Sequence, residues 1–161
     1  MKSECKYSFL EAKAKLEALC AYQERCQFEI DQKLISWGFF FDERQQLISD
    51  LISNRFLDEE RFASAYVSGK FRIKKWGRIK IKSYLVQKHI SSYSIQKALK
   101  EIDKEEYWQT LVLLANKKAQ ELVLVKNSWD KQSKILRYLQ SKGFESDLIR
   151  DAVENSSTQN S

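Results

Sequence analysis

The basic side chains of this sequence are concentrated in one segment that contains no acidic side chain. Residues 61–100 carry 11 Lys and Arg and no Asp or Glu, whereas residues 1–60 carry 8 Lys and Arg against 12 acids. Residues 101–161 carry 9 basic side chains against 10 acids. Because a segment without acids cannot neutralise its charge locally, this pattern favours a partner that is a polyanion or an acidic protein surface.

Seven cations of this segment lie close in sequence to Trp76 and Gly77 and form the candidate binding surface. They are Lys70, Arg72, Lys74, Lys75, Arg78, Lys80 and Lys82. Lys and Arg bind phosphate groups by charge and by hydrogen bonds, and each contact releases counterions. Trp76 is the candidate aromatic for stacking on a base, whereas the helical phase of Phe71 predicts a core position. A solvated basic surface without a partner is the competing interpretation.

The other reactive side chains form no catalytic or metal-binding pattern. Cys5, Cys20 and Cys26 contain no Cys-x-x-Cys spacing, and the single histidine, His89, is far from them in sequence. The sequence holds no glycine-rich phosphate loop and no nucleophile motif. We therefore expect no catalytic residue, no metal and no cofactor. Reduced, buried thiols indicate a cytoplasmic protein.

Composition predicts an all-α fold. Of the 161 residues, 43% are hydrophobic and 31% are charged, with no proline and only four glycines. Turn-dense β proteins need more of both turn residues, whereas helices joined by short connections do not. The charged start of the chain does not resemble a secretory signal. No apolar run approaches the roughly 18 residues of a membrane span, so no membrane association is expected.

A repeat is visible in the apolar positions. The stretches 30–48, 81–99 and 135–153 align without a gap, and their apolar columns are Ile30/Ile81/Ile135, Leu34/Leu85/Leu139, Phe39/Ile90/Phe144, Leu47/Ala98/Ala152 and Ile48/Leu99/Val153. In each stretch, Ile and Leu four residues apart place one apolar stripe on a short helix. Each stretch therefore reads as two short helices around a corner.

A longer helical segment precedes each stretch, which predicts nine helices in three tandem three-helix repeats. Units of this size cannot bury their apolar faces alone, so we expect them to pack in a curved, solenoid-like row. The predicted divisions are 8–55 for the first repeat, 56–101 for the second, basic repeat, 102–155 for the third, and 156–161 for a disordered tail.

Glycine marks two of the three corners. Gly38 and Gly143 fall one residue past a predicted helix, where the chain turns into the left-handed region that glycine adopts most easily. The apolar residue after each glycine is expected to fold back onto the leucine five positions earlier. His89 takes the place of glycine in the middle repeat, at a cost on the order of 1 kcal/mol. Asp42 and Asp58 are predicted helix N-caps.

One segment carries a more specific pattern. Residues 57–90 read Leu-Asp-acid-x-Arg-Phe-Ala, then a basic helix, then Gly-x-x-x-Ile-x-x-x-Leu; the matching positions are Leu57, Asp58, Glu59, Arg61, Phe62, Ala63, Gly77, Ile81 and Leu85. This pattern resembles the RecX family, and the tandem repeats extend the resemblance over residues 8–155. The sequence departs from the family at Arg78, Tyr84 and His89, where relatives usually have proline, glutamate and glycine.

The resemblance implies a non-enzymatic regulator of DNA repair, recombination and the SOS response. Such a protein lies along the groove of the RecA recombinase filament and hinders filament extension and ATP-driven strand exchange. Its partners are the RecA filament and the single-stranded DNA within it, with direct DNA contact an open question. We expect a monomer.

Two other functions stay open at this point. Three-helix units with basic second and third helices are also typical of direct DNA readers of the helix-turn-helix type. Against that reading, residues 91–100 offer only Gln96, Lys97 and Lys100 for contacts to bases. The other alternative is a helical-repeat scaffold for an acidic protein partner.

Overall fold

The computed structural model describes residues 4–158, and this part of the chain contains nine α-helices and no strand. The predicted all-α fold is confirmed. In chain order the helices are α1 Phe9–Tyr22, α2 Gln27–Ser36, α3 Phe41–Ser53, α4 Glu59–Arg72, α5 Arg78–Gln87, α6 Ser92–Lys100, α7 Lys104–Glu121, α8 Ser128–Ser141 and α9 Ser146–Thr158. Within 4–158, no helix is both long and apolar enough to cross a membrane.

Short polar side chains begin several helices. The Asp58 carboxylate accepts a 2.9 Å hydrogen bond from the amide of Arg61, which confirms Asp58 as the cap of α4. The prediction for Asp42 is wrong, because the N-cap of α3 is Phe40. The chain turns so soon after Gly38 that Asp42 already lies in the first helical turn. Its charge still favours the positive end of the helix dipole there.

The three repeat corners share one geometry, which confirms the cap prediction. The backbone φ angles are 89° at Gly38, 60° at His89 and 95° at Gly143. In each corner the next residue donates its amide to the leucine carbonyl five positions earlier, as a Schellman cap does. The bonds run from Phe39 to Leu34 at 3.1 Å, from Ile90 to Leu85 at 3.2 Å and from Phe144 to Leu139 at 3.3 Å.

Two further helix ends use the left-handed region without glycine. Arg55, after α3, has φ 62°, and Lys75, after α4, has φ 56°. The following amides close these corners, with Phe56 bonded to the carbonyl of Leu51 at 2.9 Å. No glycine marks these positions in the sequence, so the local pattern did not predict them. Lys75 is one of the candidate binding residues, and its backbone is held in an uncommon conformation for a side chain with a Cβ.

The apolar columns of the repeat form the core. Of the 15 aligned positions, 14 are buried, and Leu99 is partly exposed. Leu34, Leu85 and Leu139 are completely buried. The alignment therefore identified core positions in all three stretches.

The chain divides into two compact units. The first comprises residues 4–65 and 85–97, and the second comprises 66–84 and 98–158. In the first unit, α1, α2 and α3 pack around one apolar core; the buried members are Ala12, Leu16, Cys20, Ile30, Leu34, Trp37, Phe39, Leu47, Ile48, Leu51 and Leu57. In the second unit, α7, α8 and α9 pack against one another.

The division into three repeats at 8–55, 56–101 and 102–155, and their curved arrangement, stay predictions. The predicted tail at 156–161 needs a correction, because α9 continues to Thr158. Polar residues can extend the exposed end of a helix that is already anchored by buried side chains. Residues 159–161 lie outside the described part of the chain.

Candidate nucleic-acid interface

The second unit brings the predicted binding residues together at one helix corner. Lys70 and Arg72 lie in the last turn of α4, Lys74, Lys75 and Trp76 form the connection, and Arg78, Lys80 and Lys82 lie in the first half of α5. We call this connection, residues 73–77, the α4–α5 corner. Phe71 is buried, with 3% of its surface exposed, as its helical phase predicted.

Residues 61–100 contain no acids, but acids from other segments neutralise part of their positive charge in the folded protein. Five of its 11 cations form ion pairs with acids from other segments; the pairs are Arg61–Glu24, Arg72–Glu106, Arg78–Glu145, Lys88–Glu29 and Lys97–Glu60. The tertiary fold therefore supplies partners that the sequence pattern did not reveal. The cations that have no ion-pair partner are therefore the better candidates for binding an external anion.

Arg78 is the most strongly engaged of the predicted binding residues. Its guanidinium lies 2.7 Å from the Glu145 carboxylate and 3.9 Å from the centre of the Tyr107 ring. The Tyr107 hydroxyl donates to the same carboxylate and accepts a 3.1 Å bond from the Arg78 amide. Burial, followed by the hydrogen bond to Glu145, raises the pKa of the Tyr107 phenol above its usual value. This network holds the start of α5 against α7 and against Glu145, the residue that precedes α9.

Several lysines in the α4–α5 corner and in α5 have no carboxylate partner. Within residues 4–158, no salt bridge involves Lys74, Lys75, Lys80 or Lys82. Lys74 and Lys82 are exposed, and Lys75 and Lys80 are partly exposed. Their ammonium groups can therefore receive an external anion without first breaking an internal ion pair.

One further lysine joins this group, and the sequence reasoning missed it. The Lys142 ammonium donates a 2.9 Å hydrogen bond to the carbonyl of Lys74. Burial, and then the charges of Lys80, Lys74 and Lys75, lower the pKa of Lys142. We call Lys74, Lys75, Lys80 and Lys142 the four-lysine cluster. The only sequence signal for Lys142 is its place directly before the corner glycine, Gly143.

Backbone hydrogen bonds join the α4–α5 corner to the α8–α9 corner, residues 142–145. The Gly77 amide donates to the Lys142 carbonyl at 2.7 Å, and the Ile79 amide donates to the Gly143 carbonyl at 3.0 Å. A Cβ at Gly77 would collide with the Gly143 carbonyl and the Phe144 amide. Gly77 is therefore required by the close approach of two backbones. The contact fixes the position of Lys142 beside the other lysines.

Trp76 is half-buried within this corner rather than fully exposed. Its ring lies 4.8 Å from that of Tyr84, and the ammonium groups of Lys70 and Lys80 lie 4.9 and 4.5 Å from its centre. Lysines over an indole are attracted by its ring quadrupole. Tyr84 is 40% exposed and presents the more accessible ring. The predicted stacking role of Trp76 stays a prediction.

The remaining reactive side chains have structural surroundings. The His89 ring stacks on Phe28 at 4.6 Å. Burial raises the pKa of Cys20 and of Cys26 to about 11, so both thiols stay protonated near neutral pH. No group of three or more His, Cys, Asp or Glu side chains within 4–158 has the arrangement of a metal site.

A cleft of about 780 Å³ lies in the first unit beside Phe28 and His89. Two of its acids are already bonded within the unit. Asp31 pairs with Arg44 at 2.9 Å, and Glu59 accepts hydrogen bonds from Ser91 and Ser94. These contacts connect helices and caps, and they form no nucleophile–base pair.

Two family models match this chain. The model described as RecX, second three-helix domain, matches residues 58–99, and that described as RecX, third three-helix domain, matches residues 105–153. The chain belongs to the RecX family. The four-lysine cluster draws on both matched segments.

Two proteins that carry the name RecX are similar to a longer part of this chain than either family model. The chain is 33% identical over 127 residues to the regulatory protein RecX of Clostridium botulinum (strain Eklund 17B / Type B), covering 78% of this chain and 59% of the relative. It is 34% identical over 128 residues to that of Clostridium perfringens (strain 13 / Type A), covering 78% and 58%. The chain thus spans less than two thirds of the length of these relatives.

A solved RecX structure has the same fold. The crystal structure of RecX from Lactobacillus salivarius is 25% identical, with a TM-score of 0.79, and the match covers 91% of this chain and 95% of that one. The similarity therefore extends beyond the two segments matched by the family models. The relatives are named regulatory proteins, which favours a regulator over an enzyme.

Proposed function

We propose that this protein regulates the RecA recombinase by binding its filament on DNA through the basic surface of the α4–α5 corner. Membership of the RecX family supports a regulatory role. The observation that carries the filament contact is the four-lysine cluster, which has no carboxylate partner within residues 4–158. In this proposal the protein acts without cofactor or catalysis, and it inhibits filament extension and ATP hydrolysis.

Electrostatics explains why a filament on DNA suits this surface. Ammonium groups held together without acids repel one another; burial first, and then the charges of Lys80, Lys74 and Lys75, lower the pKa of Lys142. A phosphate chain replaces that repulsion with attraction and releases its own condensed counterions. Binding is therefore expected to be strong at low salt and to weaken steeply as salt rises.

The lysines, rather than the two arginines, are the proposed contacts. Arg78 is held by Glu145 and Tyr107, and Arg72 lies 3.7 Å from Glu106. The Arg72 pair is exposed and contributes little to stability, so Arg72 remains able to exchange partners. Arg78 would lose a partly buried network by doing so. Its proposed role is to hold α5 in position.

The geometry of α6 does not favour direct reading of a DNA sequence. A recognition helix presents side chains that are free to reach base edges. On α6, Lys97 lies 2.8 Å from Glu60, and Ser94 is buried and hydrogen-bonded to Glu59. A sequence-specific reader would leave such positions available. The other alternative is a scaffold that binds an acidic protein. A binding experiment with the filament distinguishes this alternative from the proposed function.

A binding measurement across a salt series tests the proposal. Recombinase filaments assembled on single-stranded DNA with a non-hydrolysed ATP analogue are titrated with the protein, and competing duplexes of different sequence are added. The proposal predicts filament binding that weakens with salt and no discrimination among the duplexes. Binding that selects one duplex sequence, or no binding to the filament at low salt, would contradict it.

A further inference from the structure

The cleft of the first unit, beside Phe28 and His89, has no part in the proposed function. Its walls include residues of α2 and α3 and of the corner after α5, and they differ from the residues of the four-lysine cluster. Its volume of about 780 Å³ lies in the range of cavities that hold small organic molecules. We propose that this cleft binds an organic anion that carries a planar ring.

The acids of the cleft are bonded to donors within the unit. Three acids line it, and each accepts a hydrogen bond from another side chain or amide. The pairs are the Asp31 carboxylate with the Arg44 guanidinium at 2.9 Å, the Asp58 carboxylate with the Arg61 amide at 2.9 Å, and the Glu59 carboxylate with the Ser91 amide at 2.8 Å. These bonds occupy carboxylates that could otherwise pair with the cations of the cleft.

The cations of the cleft have too few acceptors. Arg25 and Lys88 both approach one oxygen of Glu29, each at 3.7 Å, which is longer than the roughly 2.7–2.9 Å of a charge-assisted hydrogen bond. The other oxygen of Glu29 accepts from the amide and the thiol of Cys26. Within residues 4–158, the buried Nε of Arg25 has no hydrogen-bond partner and Arg55 forms no salt bridge. An anionic group bound in the cleft would supply the acceptor that these cations lack.

A ring pair and apolar side chains form the other part of the lining. The rings of Phe28 and His89 are stacked, with centroids 4.6 Å apart and planes at 26°. His89 is exposed and Phe28 is partly exposed, so a planar ring can extend the stack. Ile52, Leu57 and Ile90 add apolar side chains to the walls. A bare inorganic anion would leave this apolar surface uncovered, and we therefore assign a ring to the ligand.

The test uses a fluorescent aromatic anion, anilinonaphthalene sulfonate, whose emission increases when it leaves water. N-phenylnaphthylamine has the same rings without the sulfonate and is the uncharged control. Both dyes are titrated with the whole chain. Competing ligands then identify the charged group that the cleft accepts. Adenosine monophosphate carries a phosphate and indole acetate carries a carboxylate, and adenosine and methylindole are their uncharged counterparts.

Two pairs of variants locate the bound dye. Ile52→Glu places a carboxylate in the cleft, and Ile35→Glu is its matched control, since the two isoleucines are 49% and 46% exposed in the same unit but only Ile52 lines the cleft. Arg55→Gln removes a cation of the cleft, and Arg137→Gln removes one from an exposed position of α8. Glutamine keeps a Cβ at position 55, so the left-handed backbone there is no more strained than before. Thermal melting of each variant verifies that the fold is retained.

We expect the wild type to bind the sulfonate dye and Arg55→Gln to weaken this binding about tenfold, as for the loss of a hydrogen bond to a charged group. Ile52→Glu is expected to weaken it at least as much, whereas Ile35→Glu and Arg137→Gln bind as the wild type does. Binding of the uncharged dye is expected to be the same for Arg55→Gln and the wild type. Equal effects of Ile52→Glu and Ile35→Glu, or of Arg55→Gln and Arg137→Gln, would overturn the inference.

The competition experiment decides the chemistry of the ligand. Displacement of the dye by adenosine monophosphate, by indole acetate or by both supports the proposal and identifies phosphate, carboxylate or either as the accepted group. Failure of both anions to displace the dye would overturn it, as would equal displacement by adenosine and methylindole.

Discussion

The amide of Gly77 donates a 2.7 Å hydrogen bond to the carbonyl of Lys142, and this contact joins two helix corners of the second unit. It places the lysine that precedes one corner glycine beside the lysines of the other corner. The backbones approach so closely that neither Gly77 nor Gly143 has space for a Cβ; at Gly143 it would lie 2.6 Å from the Lys80 amide nitrogen. The basic surface therefore depends on two glycines.

Gly77→Ala is expected to destabilise the protein, because the added methyl collides with the Gly143 carbonyl. We expect a loss of about 1–3 kcal/mol, the range for a group forced into packed surroundings. Urea denaturation followed by circular dichroism measures it. Gly69→Ala is the matched control, since no atom beyond the neighbouring backbone of α4 lies within 4 Å of a Cβ at that position. A Gly77→Ala variant as stable as this control would contradict the prediction, because it would show that the two corners can move apart without loss of folding free energy.

Substitutions at His89 separate backbone conformation from ring stacking. His89→Gly and His89→Ala both remove the ring that stacks on Phe28, but only alanine keeps a Cβ in the left-handed region. The glycine variant is therefore expected to be more stable than the alanine variant by about 1 kcal/mol. Relief of the left-handed strain is expected to keep His89→Gly close to the wild type. Equal unfolding free energies for the two variants would mean that the cap conformation is not retained.

Tyr107→Phe tests the network that holds the start of α5. The substitution leaves the Glu145 carboxylate with one donor fewer and the Arg78 amide without its acceptor. A loss of about 1–3 kcal/mol is expected, as for other buried polar groups left unpaired. Tyr93→Phe, at a tyrosine that is 67% exposed, is the control and is expected to have no effect. An unchanged unfolding midpoint for Tyr107→Phe would remove the structural role assigned to Arg78 and Glu145.

The three cysteines are expected to react at very different rates. Cys5 is exposed, whereas Cys20 and Cys26 are buried and have pKa values raised to about 11 from 9.0. A thiol reagent at pH 8 is expected to modify one thiol quickly in the folded protein and all three after unfolding. Fast modification of all three thiols in the native state would contradict the burial of Cys20 and Cys26.

The same pKa values give a direction for the effect of pH on stability. Because the folded pKa exceeds the unfolded one, the folded state retains protons that the unfolded state has lost. The stabilising contribution is complete below about pH 9 and is lost as pH rises toward about 11. Replacing both buried cysteines by alanine is expected to reduce the fall in stability over this interval, and an unchanged pH profile would count against the assignment.

The sequence predicted the features that local patterns encode. Apolar spacing located the core columns, and the corner glycines indicated left-handed caps whose geometry recurs at His89. The helix ends at Arg55 and Lys75 were missed, since tertiary packing holds a non-glycine residue in a conformation that its type does not signal.

The candidate site was predicted only in part, for a physical reason. The basic segment is contiguous and therefore visible in composition. Lys142 meets Lys74 across 68 positions, and Glu145 meets Arg78 across 67. Such contacts depend on the packing of distant helices, which apolar periodicity does not specify. The sequence consequently revealed neither the pairing of Arg78 with Glu145 nor the position of Lys142 beside Lys74.

The most direct test of the regulatory proposal is ATP hydrolysis by the RecA recombinase on single-stranded DNA in the presence of this protein. The test variant carries Lys74→Glu, Lys80→Glu and Lys82→Glu, and the control carries Lys117→Glu, Lys126→Glu and Lys134→Glu, an equal charge change at exposed positions of the same unit. We predict that wild type and control slow hydrolysis, whereas the test variant needs at least about tenfold more protein, equivalent to about 1.4 kcal/mol of lost binding. Slowing by the test variant at wild-type concentrations would contradict the proposal.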